Sequence, residues 1–462
     1  MSQFACLDEL QSWLDSYLNF EKLPQKNMFW LDTMKYLCSL FGDPQCAAPV
    51  FHVAGSKGKG SVSAMIASIL DASGYKTGLY SSPHILDFVE RIGSARGAFS
   101  EDVYKKAAGE LREKIAPLSQ KALPDGRAIT WFELVTLYAF LCFRAAHTDY
   151  TVLEVGLGGR LDATNVVLPK VSCITPIELE HTEFLGDTLA KVAGEKAGII
   201  KEGRPVVIAG QKPEAKAVFQ RIAREKNAPL YCIDEVAQVQ FDYVSADKVL
   251  HAACMKTSIS SPLFHRPIQA NLRLLGSFQA QNAALAAVAV KIIFPDLDEK
   301  LIENGLEKAL LPGRFEVISP STGEILLKKG LRKRPFVILD GAHTVNSLGY
   351  TLDTFDALFG DSKAHLLFGC AADKDMKDMA PLFSERFSHI TLTRPGAVKQ
   401  SNLSALTAAF DAADIPYTCN EDFLAAIHSA LDAAQETGHP LLVTGSFYLL
   451  AEVKKVLNAE YY

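Results

Sequence analysis

Val50-Phe51-His52-Val53-Ala54-Gly55-Ser56-Lys57-Gly58-Lys59-Gly60-Ser61 is the stretch that decides the fold. An apolar run suited to a buried strand ends in a glycine-rich turn, a lysine and a hydroxyl. A helical pattern follows at once, with Val62, Met65, Ile66, Ile69 and Leu70 recurring at spacings of three and four. Strand, glycine turn and helix in that order aim backbone N–H groups at an anion. Lys59 then reaches the outer phosphates of a nucleotide, and Ser61 offers its hydroxyl to Mg²⁺. Gly55, Ser56, Lys57, Gly58 and Gly60 make the cradle between them. The pattern G-x-x-G-K-G-S is shorter than the common phosphate loop G-x-x-x-x-G-K-[ST]. A plain surface turn with a stray lysine is the competing reading, and the flanking strand and helix weigh against it.

The rest of the first 311 residues keeps the alternation. Thr77–Tyr80, Tyr150–Val155, Val171–Thr175 and Pro205–Ala209 read as strands, and Phe132–Ala145 reads as a buried helix. Short β-like runs occupy 237–275, and helical periodicity returns between Asn282 and Ile293. A break at Leu311-Pro312-Gly313-Arg314 sets the expected domain boundary, dividing the chain into 1–311 and 312–462. Beyond it, Phe336–Leu339, His365–Phe368, Ile390–Thr393 and Leu441–Thr444 alternate with helical segments. The expected fold is therefore α/β, with two doubly wound parallel sheets, the second smaller than the first. In such sheets ligands sit at the carboxyl ends of strands, where Asp340-Gly341-Ala342-His343 and Gly445-Ser446 fall.

Composition excludes several classes. At 462 residues and 48% hydrophobic, the chain can bury two cores and is not disordered. A net charge of −6 provides no overall basic face for nucleic acid. The cluster Lys328-Lys329 with Arg332-Lys333-Arg334 reads as a solvated loop. Nine cysteines without a C-x-x-C suit free thiols in the cytosol. The acidic N-terminus is unlike a signal peptide, and no run is apolar enough to cross a membrane.

Three side chains stand out chemically. Glu154 lies near the end of an apolar strand, where a carboxylate is costly unless a cation or metal meets it. His181 follows a strand and Pro176, and is either a surface histidine or a metal ligand. Lys196 sits among small and apolar residues, which lowers an amine's affinity for its proton, or else it is an ordinary helix lysine. The loop Gly156-Leu157-Gly158-Gly159-Arg160-Leu161-Asp162-Ala163-Thr164-Asn165 allows close backbone approach to a ligand, or is simply a turn.

With these residues assembled, the chain resembles the folylpolyglutamate synthase/dihydrofolate synthase family of the Mur ligase superfamily, over roughly residues 30–456. The motifs run from His52–Ser61 through Tyr80-Ser81-Ser82-Pro83-His84 and Ile129–Glu133 to Glu154–Asn165 and His181–Gly186. Glu195–Ile199, Gln279–Ala283, Leu311–Glu316, Asp340–His343 and Thr444–Ser446 follow in the family's order. The chain departs from the family in three places: Ser56 and Lys57 replace Thr-Asn in the phosphate loop, Phe278 replaces a histidine or proline, and Thr344-Val345 replaces Asn-Pro.

The resemblance implies a larger ATP-binding Mur-type domain and a smaller Rossmann-like domain, with ATP-dependent amide formation between a folate-type carboxylate and L-glutamate. It implies two Mg²⁺ ions, held by Ser61, Ser82, Glu154, His181 and a carboxylated Lys196. Asn282, Arg314 and Asp340 then contact ATP. Thr130, Trp131, Phe132 and Glu133 lie on the pterin side. Leu161, Asp162, Ala163, His343 and Ser446 belong to the substrate site, and Lys59, Lys196, Asp162 and His343 to catalysis. The domains are expected to close during turnover, and the protein to be a cytoplasmic monomer. Dihydropteroate and glutamylated folates are both open as substrates. A Mur-type ligase acting on a cell-wall precursor is the alternative enzyme, and a nucleotide-binding module without chemistry is the alternative of another class.

Overall fold

The computed structural model describes residues 7–19, 31–244, 253–318, 336–360, 363–397 and 399–461. Cys6 and the basic cluster from Lys328 to Arg334 lie outside them. The described residues divide into two compact units. The first comprises Met1–Gln240, Thr257–Ala270 and Ala280–Ala309; the second comprises Phe241–Lys256, Asn271–Gln279 and Leu310–Tyr462.

The first unit is built on a seven-stranded sheet. Its strands are β1 (Val50–Ala54), β2 (Thr77–Tyr80), β3 (Ile92–Gly93), β4 (Tyr150–Glu154), β5 (Val171–Ile174), β6 (Val206–Ile208) and β7 (Leu230–Cys232). They lie in the order β3-β2-β4-β1-β5-β6-β7. All neighbours are parallel except β3, which runs against β2. β1 is buried at all five residues because it lies mid-sheet with both faces covered, which is why it reads as an apolar run interrupted only by His52, whose ring is met by the Thr164 hydroxyl.

The helix Lys59–Ala72 makes the crossover from β1 to β2, and every residue from Ser61 to Leu70 is buried. One side covers the sheet. Against the other lies the helix Glu299–Lys308, whose Gly305 comes so close that a Cβ there would stand 2.4 Å from the Ile69 Cα. Ser68 donates its hydroxyl to the Gly305 carbonyl at 2.7 Å. Each fully buried Ile or Leu on this helix contributes about 1.5–3 kcal/mol of transfer free energy. That anchoring holds the phosphate loop's helix still.

β8 (Gln238–Val244), β9 (Cys254–Ser260) and β10 (Ile268–Leu272) form a small sheet of their own. The second unit holds the last sheet. Its strands are β11 (Glu316–Ile318), β12 (Val337–Leu339), β13 (His365–Phe368), β14 (His389–Leu392), β15 (Thr418–Cys419) and β16 (Leu441–Thr444), in the order β11-β12-β16-β13-β14-β15. Only β11 is antiparallel. The α/β class with two parallel-sheet cores is as the alternation implied.

Small differences are instructive. β4 ends at Glu154 and not at Val155, so the carboxylate is the strand's last residue. β3, β7, β11 and β15 have only two or three residues each. Runs that short carry no detectable period, and their pairing is set by the neighbouring strand.

Candidate active site

The carboxyl ends of β2, β4, β1 and β5 are adjacent along one edge of the first sheet, and the chain turns there four times. The turn after β1 is the phosphate loop. Gly55 has φ 142°, and a Cβ on it would lie 1.8 Å from the Thr175 Oγ1. Gly58 has φ 86° at the helix N-cap, and its missing side chain leaves room for the Asn282 amide, 2.8 Å from where a Cβ would be. Ser56 donates its N–H to the Pro176 carbonyl and exchanges hydrogen bonds with the Glu178 backbone through its hydroxyl. The loop is thus clamped to the turn after β5. Lys59 folds over it and donates to the carbonyls of Gly55 at 2.9 Å and Ser56 at 3.2 Å. Ser61 is buried in the helix's first turn, where backbone N–H groups have no intrahelical acceptor.

Glu154 is 4% exposed and accepts a hydrogen bond from the Ser82 N–H at 3.2 Å. The structure therefore brings these two proposed metal ligands together. His181 is exposed, with φ 46°, at the head of the short helix Thr182–Leu185.

Lys196 closes the helix Leu189–Lys196 and is 2% exposed. Its ammonium donates to the Gly55 carbonyl at 2.8 Å and to Glu180 Oε1 at 2.7 Å. Burial and the nearby Lys59 lower its pKa to about 8, and together they outweigh the pull of Glu180. Glu180 itself is held down to about 2: burial opposes its ionisation, but Lys59 and Lys196 overcome it. The 2.7 Å contact, beside the bond to the Gly55 carbonyl, sets an ion pair under the phosphate loop. Glu180 is the residue that sequence reasoning passed over. It stands one position before His181 with no local signature, and only the crossing of two chain segments reveals it.

The glycine loop after β4 is organised by Asp162. Its buried carboxylate accepts from the N–H groups of Gly156, Leu157 and Thr164 and from the Thr164 hydroxyl. Burial pushes its pKa up despite those bonds. The Thr164 hydroxyl also meets His52 Nε2 at 2.9 Å, tying this loop to β1. Leu161 is half-buried and Ala163 buried in the same loop. Phe132 packs on the loop's first residue: a Cβ on Gly156 would lie 2.4 Å from its Cζ.

Thr130 and Glu133 form a capping box on the helix Trp131–Ala146, and Glu133 is also paired with Arg127. Trp131 lies under the Arg91 guanidinium, 4.9 Å from the ring centre, with its buried indole N–H unpartnered.

In the second unit, Asp340 follows β12. It accepts from the N–H groups of Phe315 and Ala342 and from the Thr351 hydroxyl, at 2.7–2.9 Å. Burial raises its pKa, and Arg314 is among the groups that oppose the rise. Arg314 lies over the Phe447 ring at 4.2 Å. His343 Nδ1 meets the Gly341 carbonyl at 2.7 Å and its ring stands edge-on to Phe447. Ser446 follows β16 and accepts from the Tyr448 N–H. Arg314, Asp340, His343 and Ser446 thus gather at the carboxyl edge of this sheet.

Residues 53–290 match the Mur ligase middle domain, and residues 313–447 match the Mur ligase glutamate ligase domain. The chain is 30% identical over 460 residues to a dihydrofolate synthase/folylpolyglutamate synthase of Bacillus subtilis, spanning 98% of this chain and 100% of that one. The chain belongs to the folylpolyglutamate synthase/dihydrofolate synthase family of Mur ligases. Among solved structures it is similar to the apo form of the L. casei folylpolyglutamate synthase, with a TM-score of 0.82 at 26% identity over 98% and 99% of the two chains. It is also similar to the Mycobacterium tuberculosis folylpolyglutamate synthase complexed with ADP and AMPPCP, with a TM-score of 0.81 at 26% identity over 97% and 98%.

One other cluster among the described residues has metal-ligand chemistry. Cys232, Asp234 and Glu235 place donor atoms within 4.8 Å of one another. Lys216 already pairs with both acids, at 3.1 and 2.8 Å, so an internal cation occupies that position.

The glycine turn yields a direct expectation for this family member. Gly55→Ala would drive a methyl into Thr175 and strain a positive φ. Overpacking of that kind costs about 1–3 kcal/mol. Nucleotide binding should weaken sharply in Gly55→Ala, measured by calorimetry beside a thermal melt; parent-like affinity would show that the loop is not clamped as described.

Proposed function

We propose that this chain ligates L-glutamate to a folate-type carboxylate at the expense of ATP, through an acyl phosphate. The single observation that carries this reading is the convergence of the Gly55–Ser61 loop, the Glu154–Ser82 pair and buried Lys196 on one sheet edge. The family placement selects the folate substrate over a cell-wall precursor.

A substrate carboxylate oxygen attacks the γ-phosphorus, the bond to the β-phosphate bridging oxygen breaks, and ADP leaves. The glutamate amine then attacks the acyl carbon, and phosphate departs as the amide forms. Lys59 has only to leave two loop carbonyls to meet the transferring group's charge. First-turn N–H groups of the helix Lys59–Ala72 hold the phosphates. Asn282 lies against Gly58 and Arg314 and Asp340 are the further ATP contacts proposed. Asp162 acts by fixing the Gly156–Leu157 backbone. His343 and Ser446 are the proposed glutamate-side groups, and Thr130, Trp131, Phe132 and Glu133 the pterin-side helix start.

The donors Glu154, Ser82 and Ser61 are hard oxygens suited to Mg²⁺, with His181 as a nitrogen ligand, so the residues fit the ion the family implies. Bound there, Mg²⁺ supplies positive charge for the phosphate oxygens. The small neighbours and lowered pKa of Lys196 favour its carboxylation, since only a neutral amine reacts with CO₂. Carboxylation would set an anion beside Glu180, which a cation must then offset. Localisation in the cytosol as a monomer completes the reading; the eight described cysteines are all free thiols.

The test offers purified protein ATP, Mg²⁺ and L-glutamate with dihydropteroate or with tetrahydrofolate. Glutamate-dependent phosphate release and a product heavier by one glutamate are expected with at least one acceptor. A nucleotide-binding module would release phosphate with neither. Glu154→Ala and His181→Ala should each raise the Mg²⁺ needed for half-maximal rate. Magnesium titrations that overlay the parent would remove both residues from the ligand set.

A further inference from the structure

The second parallel sheet has an unassigned feature at its amino edge, opposite Asp340, His343 and Ser446. His365 opens β13, His389 opens β14, and the two are register partners. His439 comes two residues before Leu441, the β16 residue that pairs with His365. The His365 ring stands between the other two, 6.1 Å from the centre of His389 and 5.6 Å from that of His439.

Hydrogen bonds decide which ring nitrogen carries the proton. The Thr437 hydroxyl donates to the Ala433 carbonyl at 2.8 Å, so its own proton is committed. It must therefore accept from His365 Nε2–H, 2.8 Å away. That leaves His365 Nδ1 as a bare lone pair. The ring is 5% exposed, and its Nδ1 is buried without a hydrogen-bond partner. His439 Nδ1 is buried without a partner as well. His389 is treated like His365: the Thr418 hydroxyl donates to the Ile390 carbonyl and meets His389 Nε2 at 3.2 Å.

A buried lone pair with no donor is costly, and it can be met by a proton or by a metal ion. Burial and the two neighbouring imidazoles disfavour the proton on His365. Neutral imidazoles whose other nitrogen is fixed by a hydrogen bond are the preferred ligands of borderline transition-metal ions. They are poor ligands for Mg²⁺, so the site is chemically distinct from the one proposed at the phosphate loop.

We propose that His365 and His439 bind a divalent transition-metal ion of the Zn²⁺ type through their Nδ1 atoms, with water completing the coordination. Of these three histidines, His365 and His439 are the two with a buried Nδ1 that has no hydrogen-bond partner, so they are assigned as the ligands and His389 as a buttress to His365. Such an ion ties the start of β13 to the segment entering β16, and so braces the second unit.

The experiment is calorimetric titration of the full chain with Zn²⁺, without nucleotide, beside His439→Gln, His365→Asn and Cys232→Ser. One Zn²⁺ per chain is expected, with a raised melting temperature. His439→Gln should weaken binding by about tenfold or more, as loss of a ligand does. Its Mg²⁺-supported ligation should stay at the parent rate, because it is remote from the reacting groups. His439 is only half-buried, so that variant keeps the test meaningful even if His365→Asn fails to fold. Imidazole ¹⁵N spectra of the metal-free chain should show Nε2–H tautomers, with Zn²⁺ moving the Nδ1 signals. Absence of Zn²⁺ binding at millimolar concentration overturns the proposal. So does unchanged affinity in His439→Gln, or affinity lost in Cys232→Ser instead.

Discussion

Lys59→Ala should lower glutamate-dependent turnover by about 10³-fold or more while the protein remains folded, because loss of a charge at the transferring phosphoryl group has that scale. The structure explains why the two effects separate. The ammonium's described hydrogen bonds go to two carbonyls of its own loop, and each is worth only about 1 kcal/mol. The helix it opens is anchored by the buried run Ser61–Leu70, which the substitution does not touch. Arginine should not restore activity: its planar fork cannot occupy the space of a compact ammonium inside so tight a turn. Phosphate release and a thermal melt measured together decide the matter. A folded Lys59→Ala chain with near-parent turnover would remove the phosphate-loop reading altogether.

Lys196→Ala is the second large loss expected. Its ammonium spans from the Gly55 carbonyl to Glu180, so removal strips the floor of the phosphate loop and leaves a carboxylate without one of its partners. If the working form is a carbamate, acetate should restore part of the activity by filling the vacated space, and ¹³C-bicarbonate should label the parent's Lys196. An unlabelled, fully active parent returns Lys196 to a structural ion pair. The same residue marks the pH dependence of stability. Its pKa is about 8 in the fold against an ordinary 10.5, so the unfolded chain holds more protons between those values. Its destabilising contribution is therefore fully present below about pH 8 and is relieved as pH rises toward 10.5. Glu180 works oppositely: held at about 2 against 4.5, it stabilises above 4.5 and loses that contribution as pH falls through 2. Lys196→Ala should flatten the alkaline limb of a stability–pH curve and leave the other lysines' contributions in place.

Much of this was written locally. The run Val50–Ala54, the glycine turn and the apolar spacing from Val62 to Leu70 determine a strand, a phosphate-sized loop and a helix by themselves, because hydrophobic period and glycine's backbone freedom act over a few residues. Both parallel sheets followed from the alternation of such units. β3, β7, β11 and β15 did not: unlike the equally short β6 and β12, which lie within the apolar runs 205–209 and 336–339, they exist only by pairing with a neighbour. The site divides along the same line. Lys59, Glu154 and Lys196 drew attention through their immediate company, a turn, a strand end and a set of small residues. Their partners could not be read that way. Glu180 meets Lys196 from 16 positions away, His52 reaches Thr164 across 112, and His365 finds Thr437 across 72. Asp162, which looked like a group for substrate, turned out to spend its hydrogen-bonding capacity on Gly156, Leu157 and Thr164. Local sequence determined which chemistry this chain could carry. The tertiary structure decided which groups meet, because burial and low dielectric make charge and hydrogen-bond pairing depend on distance in space and not along the chain.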